Sequence, residues 1–180
     1  MECEEKKMKK NEQRLISGFY ELKVDQLMDK KIWDIPLVEK YTPIIDILSI
    51  LDGRSHVWVV NDKEGKELVG VITRQDVLEI LAPPRTSYNM FSIPRSQFHG
   101  TEGRAEDVMN KEPIFTICDE KIVDVLQKMV KHRIRRLPVL SKDNKILGEI
   151  TLKHLIHKFY LASQYHPIAE EGSCNQNSKI

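Results

Sequence analysis

Apolar residues along this chain alternate between two spacings, one helical and one extended. Ile44, Ile45, Ile47, Leu48 and Leu51 keep the helical spacing. Thr42 is expected at the N-cap with Pro43 at the first helical position, and Gly53 ends the run. Val57 to Val60 is a continuous apolar run that predicts a strand, Asp62 to Gly65 a turn, and Leu68 to Ile72 a second strand. A helix from Arg74 to Leu81 stops ahead of Pro83-Pro84, because the residue before a proline is pushed out of the helical region.

The same rhythm returns downstream. Ile114 to Ile117 predicts a strand, and Asp119 is expected to cap a helix whose stripe is Ile122, Val123, Leu126, Met129 and Val130. Arg136 to Leu140 and Lys145 to Ile150 predict a hairpin around the polar turn Ser141 to Asn144. Thr151 stands at an N-cap position ahead of Leu152, Leu155, Ile156 and Phe159.

The two units are copies. Gly70-Val71-Ile72-Thr73-Arg74-Gln75-Asp76-Val77-Leu78 matches Gly148-Glu149-Ile150-Thr151-Leu152-Lys153-His154-Leu155-Ile156 at an offset of 78 residues. Ile44 to Leu48 matches Ile122 to Leu126 at the same offset, which marks an internal duplication. The fold class is α/β, with two repeats of strand, helix, strand, strand, helix. A unit of about 60 residues buries too little surface alone, so the two sheets are expected to pack face to face about a pseudo-twofold axis with clefts between them.

The expected divisions are an arm at 1–23, repeat 1 at 24–82, a linker at 83–104, repeat 2 at 105–162 and a disordered tail at 163–180. Leu15, Ile16, Phe19 and Leu22 are spaced as one docked helical turn, or as a partner-binding arm. The linker carries Tyr88, Met90, Phe91, Ile93 and Phe98, which pack locally or cover a cleft.

The order of elements, the Gly-x-Ile-Thr-x-x-Asp junction and the Arg-Leu-Pro-Val strand resemble a tandem pair of CBS domains, also called a Bateman module. The resemblance covers residues 24–162. It implies a regulatory, non-catalytic fold that binds AMP, ADP, ATP or an S-adenosyl compound. It also implies that the junction hydroxyl, Thr73 or Thr151, meets phosphate and that Asp76 holds the ribose hydroxyls. Adenine is then expected against the hairpin strands and the strand opening each repeat. Those positions here are His56, Val57, Leu137, Pro138, Pro36 and Thr116. Repeat 2 departs from the pattern, with His154 in place of the aspartate, beside Lys153. An imidazole cannot accept from two hydroxyls as a carboxylate does, so that cleft is expected to bind differently, more weakly or not at all, and the ligand is expected in the repeat 1 cleft at Thr73 and Asp76. Arg135 and Arg136 resemble the phosphate-meeting basic pair of the gamma subunit of AMP-activated protein kinase.

Residue chemistry supports this and leaves alternatives. A hydroxyl and free N–H groups at a helix N-terminus make an anion site. Asp76 also suits a first helical turn for its dipole alone. Adjacent strand residues point to opposite faces, so Arg136 is favoured over Arg135 unless the strand starts irregularly. His132, Arg133, Arg135 and Arg136 also read as a solvated basic face, and Trp58 as core rather than an adenine stack.

Charge and cysteines narrow the partners. A formal net charge of +1 provides no overall drive toward nucleic acid, and no apolar run is long enough to span a membrane. Cys3, Cys118 and Cys174 are scattered with no CxxC, which suits a reducing compartment. Met1 to Lys10 is charged, unlike a secretory signal, so a cytoplasmic protein is expected. Nucleophile-elbow, Walker A and His-Glu-x-x-His patterns are missing, so no catalysis, metal or cofactor is expected. Cys118 lies near a helix start, which can lower a thiol pKa, and His154 and His157 form a two-histidine pair without a third ligand in sequence. Self-association into a homodimer and an effector protein as partner complete the expectation, with a scaffold as the alternative.

Overall fold

A computed structural model describes residues 14–81 and 103–164. The apolar linker residues from Tyr88 to Phe98 lie outside the described residues. Helix α1 covers residues 14–21, and 3-10 turns follow at Val24–Gln26 and Ile32–Asp34. Repeat 1 continues with β1 (Leu37–Glu39), α2 (Ile44–Gly53), β2 (His56–Val60), β3 (Leu68–Thr73) and α3 (Arg74–Leu81). Repeat 2 opens with the short α4 (Ala105–Val108). It continues through β4 (Thr116–Ile117), α5 (Ile122–His132), β5 (Arg136–Leu140), β6 (Ile146–Thr151) and α6 (Leu152–Gln164).

Each repeat forms a three-stranded sheet, ordered β1-β2-β3 and β4-β5-β6. The first strand pairs parallel to the second, and the hairpin is antiparallel. Both hairpins carry a register shift at the same place, Val59/Val60 and Val139/Leu140. Two helix starts differ from expectation. Pro43 and Lys121, rather than Thr42 and Asp119, occupy the N-cap positions, and neither makes a side-chain cap bond. The helices begin where the first buried residues, Ile44 and Ile122, reach the core. Helix α5 ends on Arg133 at φ 54, a left-handed turn occupied here by a residue other than glycine.

The middle strands explain the continuous apolar runs in the sequence. All five residues of β2 are buried. Val57 and Val59 face the helices of repeat 1 in one core, while Trp58 and Val60 join Leu68, Leu140 and Ile146 in a core between the two sheets. The sheets therefore pack face to face. On the axis, the hairpin turns bond reciprocally: Leu68 N donates to Asn144 O and Ile146 N to Lys66 O, each at 3.0 Å.

The leading segments change sides. Val24 packs with Ile122, Val125, Met129, Leu137 and Ile150 of repeat 2, and Phe19 of α1 joins the same core. Ala105 packs with Ile44, Ile47, Leu51 and Ile72 of repeat 1. The turn that opens each repeat in sequence thus completes the core of the other. Bridges Asp29–Glu149 and Val71–Asn110 seat these segments along the edges of β6 and β3.

Gly148 and Gly70 sit under those bridges. A Cβ at Gly148 would lie 2.5 Å from the Asp29 carbonyl oxygen, whereas at Gly70 it would meet the Met109 side chain, its sulfur at 2.5 Å, and the Asn110 carbonyl oxygen at 3.0 Å. A thioether can rotate away and a bridged backbone carbonyl cannot. Gly148→Ala is therefore expected to cost about 1–3 kcal/mol of unfolding free energy, the usual range for overpacking. Gly70→Ala is expected to cost less, with both read by urea denaturation.

Candidate functional site

The crossing of residues 29–36 from one repeat to the other leaves a cleft of about 960 Å³. Its floor is Glu149 of β6 with His56 at the start of β2. One wall is Asp34, Ile35 and Pro36, continued by Gly53, Arg54 and Ser55 after α2. The other wall holds Arg135, Arg136, Thr151, Lys153, His154, His157 and Tyr160.

Local structure fixes these groups. Thr151 ends β6 opposite Arg136 of β5, and α6 starts at the next residue. The Thr151 hydroxyl accepts from the His154 N–H at 3.2 Å, so it caps α6. Leu152 N donates to Arg135 O at 2.8 Å and anchors the loop before β5. Arg135 stands just before that strand and Arg136 begins it, so the irregular start lets both line one cavity. Arg54 pairs with Asp34 at 2.5 Å, and Arg74 donates to the Leu51 and Asp52 carbonyls at the end of α2.

Donors from both repeats converge on Glu149. Its Oε2 accepts from the Trp58 indole N–H at 3.0 Å and lies 2.8 Å from His56 Nε2, while its Oε1 is 3.4 Å from Arg136 Nη1. The Glu149 side chain is only 12% exposed. Burial pushes its pKa up, but His56, Trp58 and Arg136 outweigh that and hold it below the ordinary 4.5. Burial pushes His56 below its ordinary 6.5 despite the carboxylate, with Arg136 and Arg54 opposing a further positive charge. Among the described residues, Nδ1 of His56 and of His154 and Nε2 of His56 are buried without a hydrogen-bond partner, the last despite its 2.8 Å approach to Glu149, and both residues line this cleft.

The expected site residues therefore divide. The cleft brings together Pro36, His56, Arg135, Arg136, Thr151, Lys153 and His154. Thr73 and Asp76 are not among its lining residues. The Asp76 carboxylate instead accepts from the Thr73 N–H and hydroxyl, each at 2.7 Å, closing the first turn of α3. Val57 and Leu137 have no exposed surface because each faces its own repeat's helices, and Pro138 is buried too. Thr116 is buried, its hydroxyl donating to Glu120 at 2.6 Å. Trp58 is core, as its apolar neighbours suggested, with its one polar atom on Glu149. Cys118 goes against the helix-start expectation: burial and the nearby Asp25 and Asp119 push its thiol pKa up. Among the described residues, no group of three His, Cys, Asp or Glu side chains could hold a metal, and no helix is long and apolar enough to cross a membrane.

Glu149, Arg54 and Asp34 were not anticipated. Glu149 carried a signal, since it is the one charged residue in Ile146–Thr151 and its counterpart in the first repeat is Val71.

Two three-stranded sheets, doubled about an axis and enclosing a cleft lined by several basic side chains, define a tandem-repeat α/β architecture. The CBS domain model matches residues 24–83 and 105–160, more than half of the sequence, and the chain belongs to the CBS domain family. Inosine-5'-monophosphate dehydrogenase of Bacillus subtilis is 32% identical over 102 residues, which are 56% of this chain but 17% of that enzyme. The chain thus matches about a sixth of the length of that enzyme. Among solved structures, CBSX2 in complex with AMP aligns with a TM-score of 0.62 and 22% identity over 78% of this chain and 98% of that one. The CBS domain pair of protein MJ0100, in complex with 5'-methylthioadenosine and S-adenosyl-L-methionine, aligns with a TM-score of 0.57 and 23% identity over 77% and 96%.

Both His56 and Glu149 have pKa values below their ordinary 6.5 and 4.5, so the unfolded chain binds more protons and stability falls with falling pH. His56 withdraws stability as pH drops below 6.5. The Glu149 contribution is complete above 4.5 and is lost as pH falls through its lower folded value. In urea unfolding at a series of pH values, His56→Gln is expected to flatten the upper limb and, because His56 is the strongest influence lowering Glu149, to flatten the lower limb as well.

Proposed function

We propose that this chain is a regulatory module that binds an adenosine-containing ligand in the cleft between its repeats. The ligand class is AMP, ADP, ATP or an S-adenosyl compound. The observation that carries the reading is the meeting of Arg135, Arg136 and Lys153 with the N-terminus of α6 in one cavity of about 960 Å³. Guanidinium groups beside a helix N-terminus suit phosphate, and the volume suits a nucleotide-sized ligand. CBSX2 with AMP and the MJ0100 pair with adenosyl ligands support the choice of adenosine. In this reading the module performs no chemistry itself. Ligand occupancy is read by a separate effector protein.

The same reading includes an isologous homodimer. Leu78 and Leu81 on α3 and Ile156 and Tyr160 on α6 are more than half exposed, and such faces suit burial by a second copy.

Thermal shift and calorimetric titration with AMP, ADP, ATP, 5'-methylthioadenosine and S-adenosylmethionine test the proposal, because a ligand bound only by the native state raises its stability. Arg136→Ala is expected to weaken AMP about tenfold or more, as loss of a charged hydrogen bond does, and to leave adenosine nearly unchanged. If Asp76→Ala alone abolished binding, the site would lie at the α3 junction instead. No shift with any ligand would favour a scaffold, and steeply salt-dependent RNA or DNA binding would favour a nucleic-acid module.

A further inference from the structure

We propose that Glu149 is the specificity-determining residue of the cleft, a fixed counter-anion that favours ligands of low negative charge over polyphosphates. The inference rests on the adenosine reading and narrows it. Two donors, one from each repeat, hold the carboxylate, Trp58 at 3.0 Å and Arg136 at 3.4 Å, and His56 Nε2 lies 2.8 Å from it without hydrogen-bond geometry. Only 12% of the Glu149 side chain is exposed, so its carboxylate is held inside the cleft rather than in solvent. It therefore stays in the cleft floor as a negative charge beside Arg136, the cation that starts β5.

Charge pairing makes this matter. Arg136 already faces Glu149, and Arg54 is paired with Asp34. The cleft is therefore less positive than its row of basic side chains suggests. One phosphoryl group can share Arg136 with the carboxylate. Each further ionised phosphoryl group can still meet Arg135 and Lys153, but it adds repulsion from the same carboxylate, which partial burial strengthens. Specificity built from a repulsive group is a general device. The duplication adds an internal control, since the position equivalent to Glu149 in repeat 1 is Val71. The carboxylate belongs to one repeat alone.

The experiment compares wild type with Glu149→Gln, which keeps the shape and an acceptor for Trp58. Affinities are measured by titration calorimetry for 5'-methylthioadenosine, AMP, ADP and ATP, and for inorganic phosphate and tripolyphosphate. Wild type is expected to hold AMP more tightly than ATP. Glu149→Gln is expected to leave 5'-methylthioadenosine within about twofold and to raise ATP affinity about tenfold more than AMP affinity, in keeping with removal of one charge at a partly buried site. Equal shifts for all ligands, or wild-type preference for ATP, would overturn the inference while leaving the adenosine reading intact. If no adenosine compound bound but tripolyphosphate gained over phosphate in the variant, the adenosine reading would fail and the role of Glu149 would stand. Binding of none of these probes to wild type would sink both. If the variant does not fold, the wild-type order of AMP and ATP decides.

Discussion

A three-stranded sheet with helices on one side has a second face that must be covered. Here the cover is the other repeat. Trp58, Val60 and Leu68 meet Leu140 and Ile146 across the axis, and the hairpin turns are stitched by paired backbone bonds. Each half also borrows its last core residue from the other, Val24 for repeat 2 and Ala105 for repeat 1. The halves are thus not two domains in contact. They are one folding unit, because neither core closes without a segment of its neighbour. That requirement forces residues 29–36 to cross between the sheets, and the crossing creates the cleft.

Duplication makes such clefts as pairs, and divergence has made this pair unequal. At the α3 junction the acid Asp76 is spent on its own Thr73. At the α6 junction the hydroxyl caps the helix through the His154 N–H, which releases the side chain at that position. The cleft beside α6 then gathers charge of both signs, with Glu149 on the floor and arginines on the walls. A buried carboxylate is tolerable only with donors around it. Trp58, replacing the proline of the second repeat, supplies one from across the axis, and His56, replacing the arginine, packs against the carboxylate at 2.8 Å. The substitutions in the two repeats are physically complementary.

Much of the fold was legible because period and turn chemistry agree. Helix α3 from Arg74 to Leu81 and strand β5 from Arg136 to Leu140 fall where the apolar spacing and the flanking Pro83 or Ser141 put them. The doubling was legible from one repeated offset. Helix starts were less so, since Thr42 and Asp119 look like caps yet burial of Ile44 and Ile122 sets the first turn. The exchange of leading segments was not legible, because Val24 and Ala105 carry no mark of which core they fill. At the site, the basic pair and the α6 junction could be read from local motifs. Glu149 could not be placed, because its partners His56 and Trp58 are about ninety residues away in sequence and meet it only through sheet packing.

That same remoteness would let the proposed cleft couple a bound ligand to both repeats. Glu149 is bonded to Trp58 of repeat 1 and to Arg136 of repeat 2, lies 2.8 Å from His56, and its backbone is bridged to Asp29 of the crossing segment. A ligand that draws Arg136 toward itself alters the balance of donors on that carboxylate. The change is felt on both sheets and on the crossover at once. A ligand shifts a conformational equilibrium only by its differential affinity for the two states, and a charged group shared between halves is where such a difference arises. The helices α3 and α6 follow directly from β3 and β6 and carry the exposed residues Leu78, Leu81, Ile156 and Tyr160. A small rotation of one sheet on the other would therefore reach the surface as a change in the spacing of those apolar side chains.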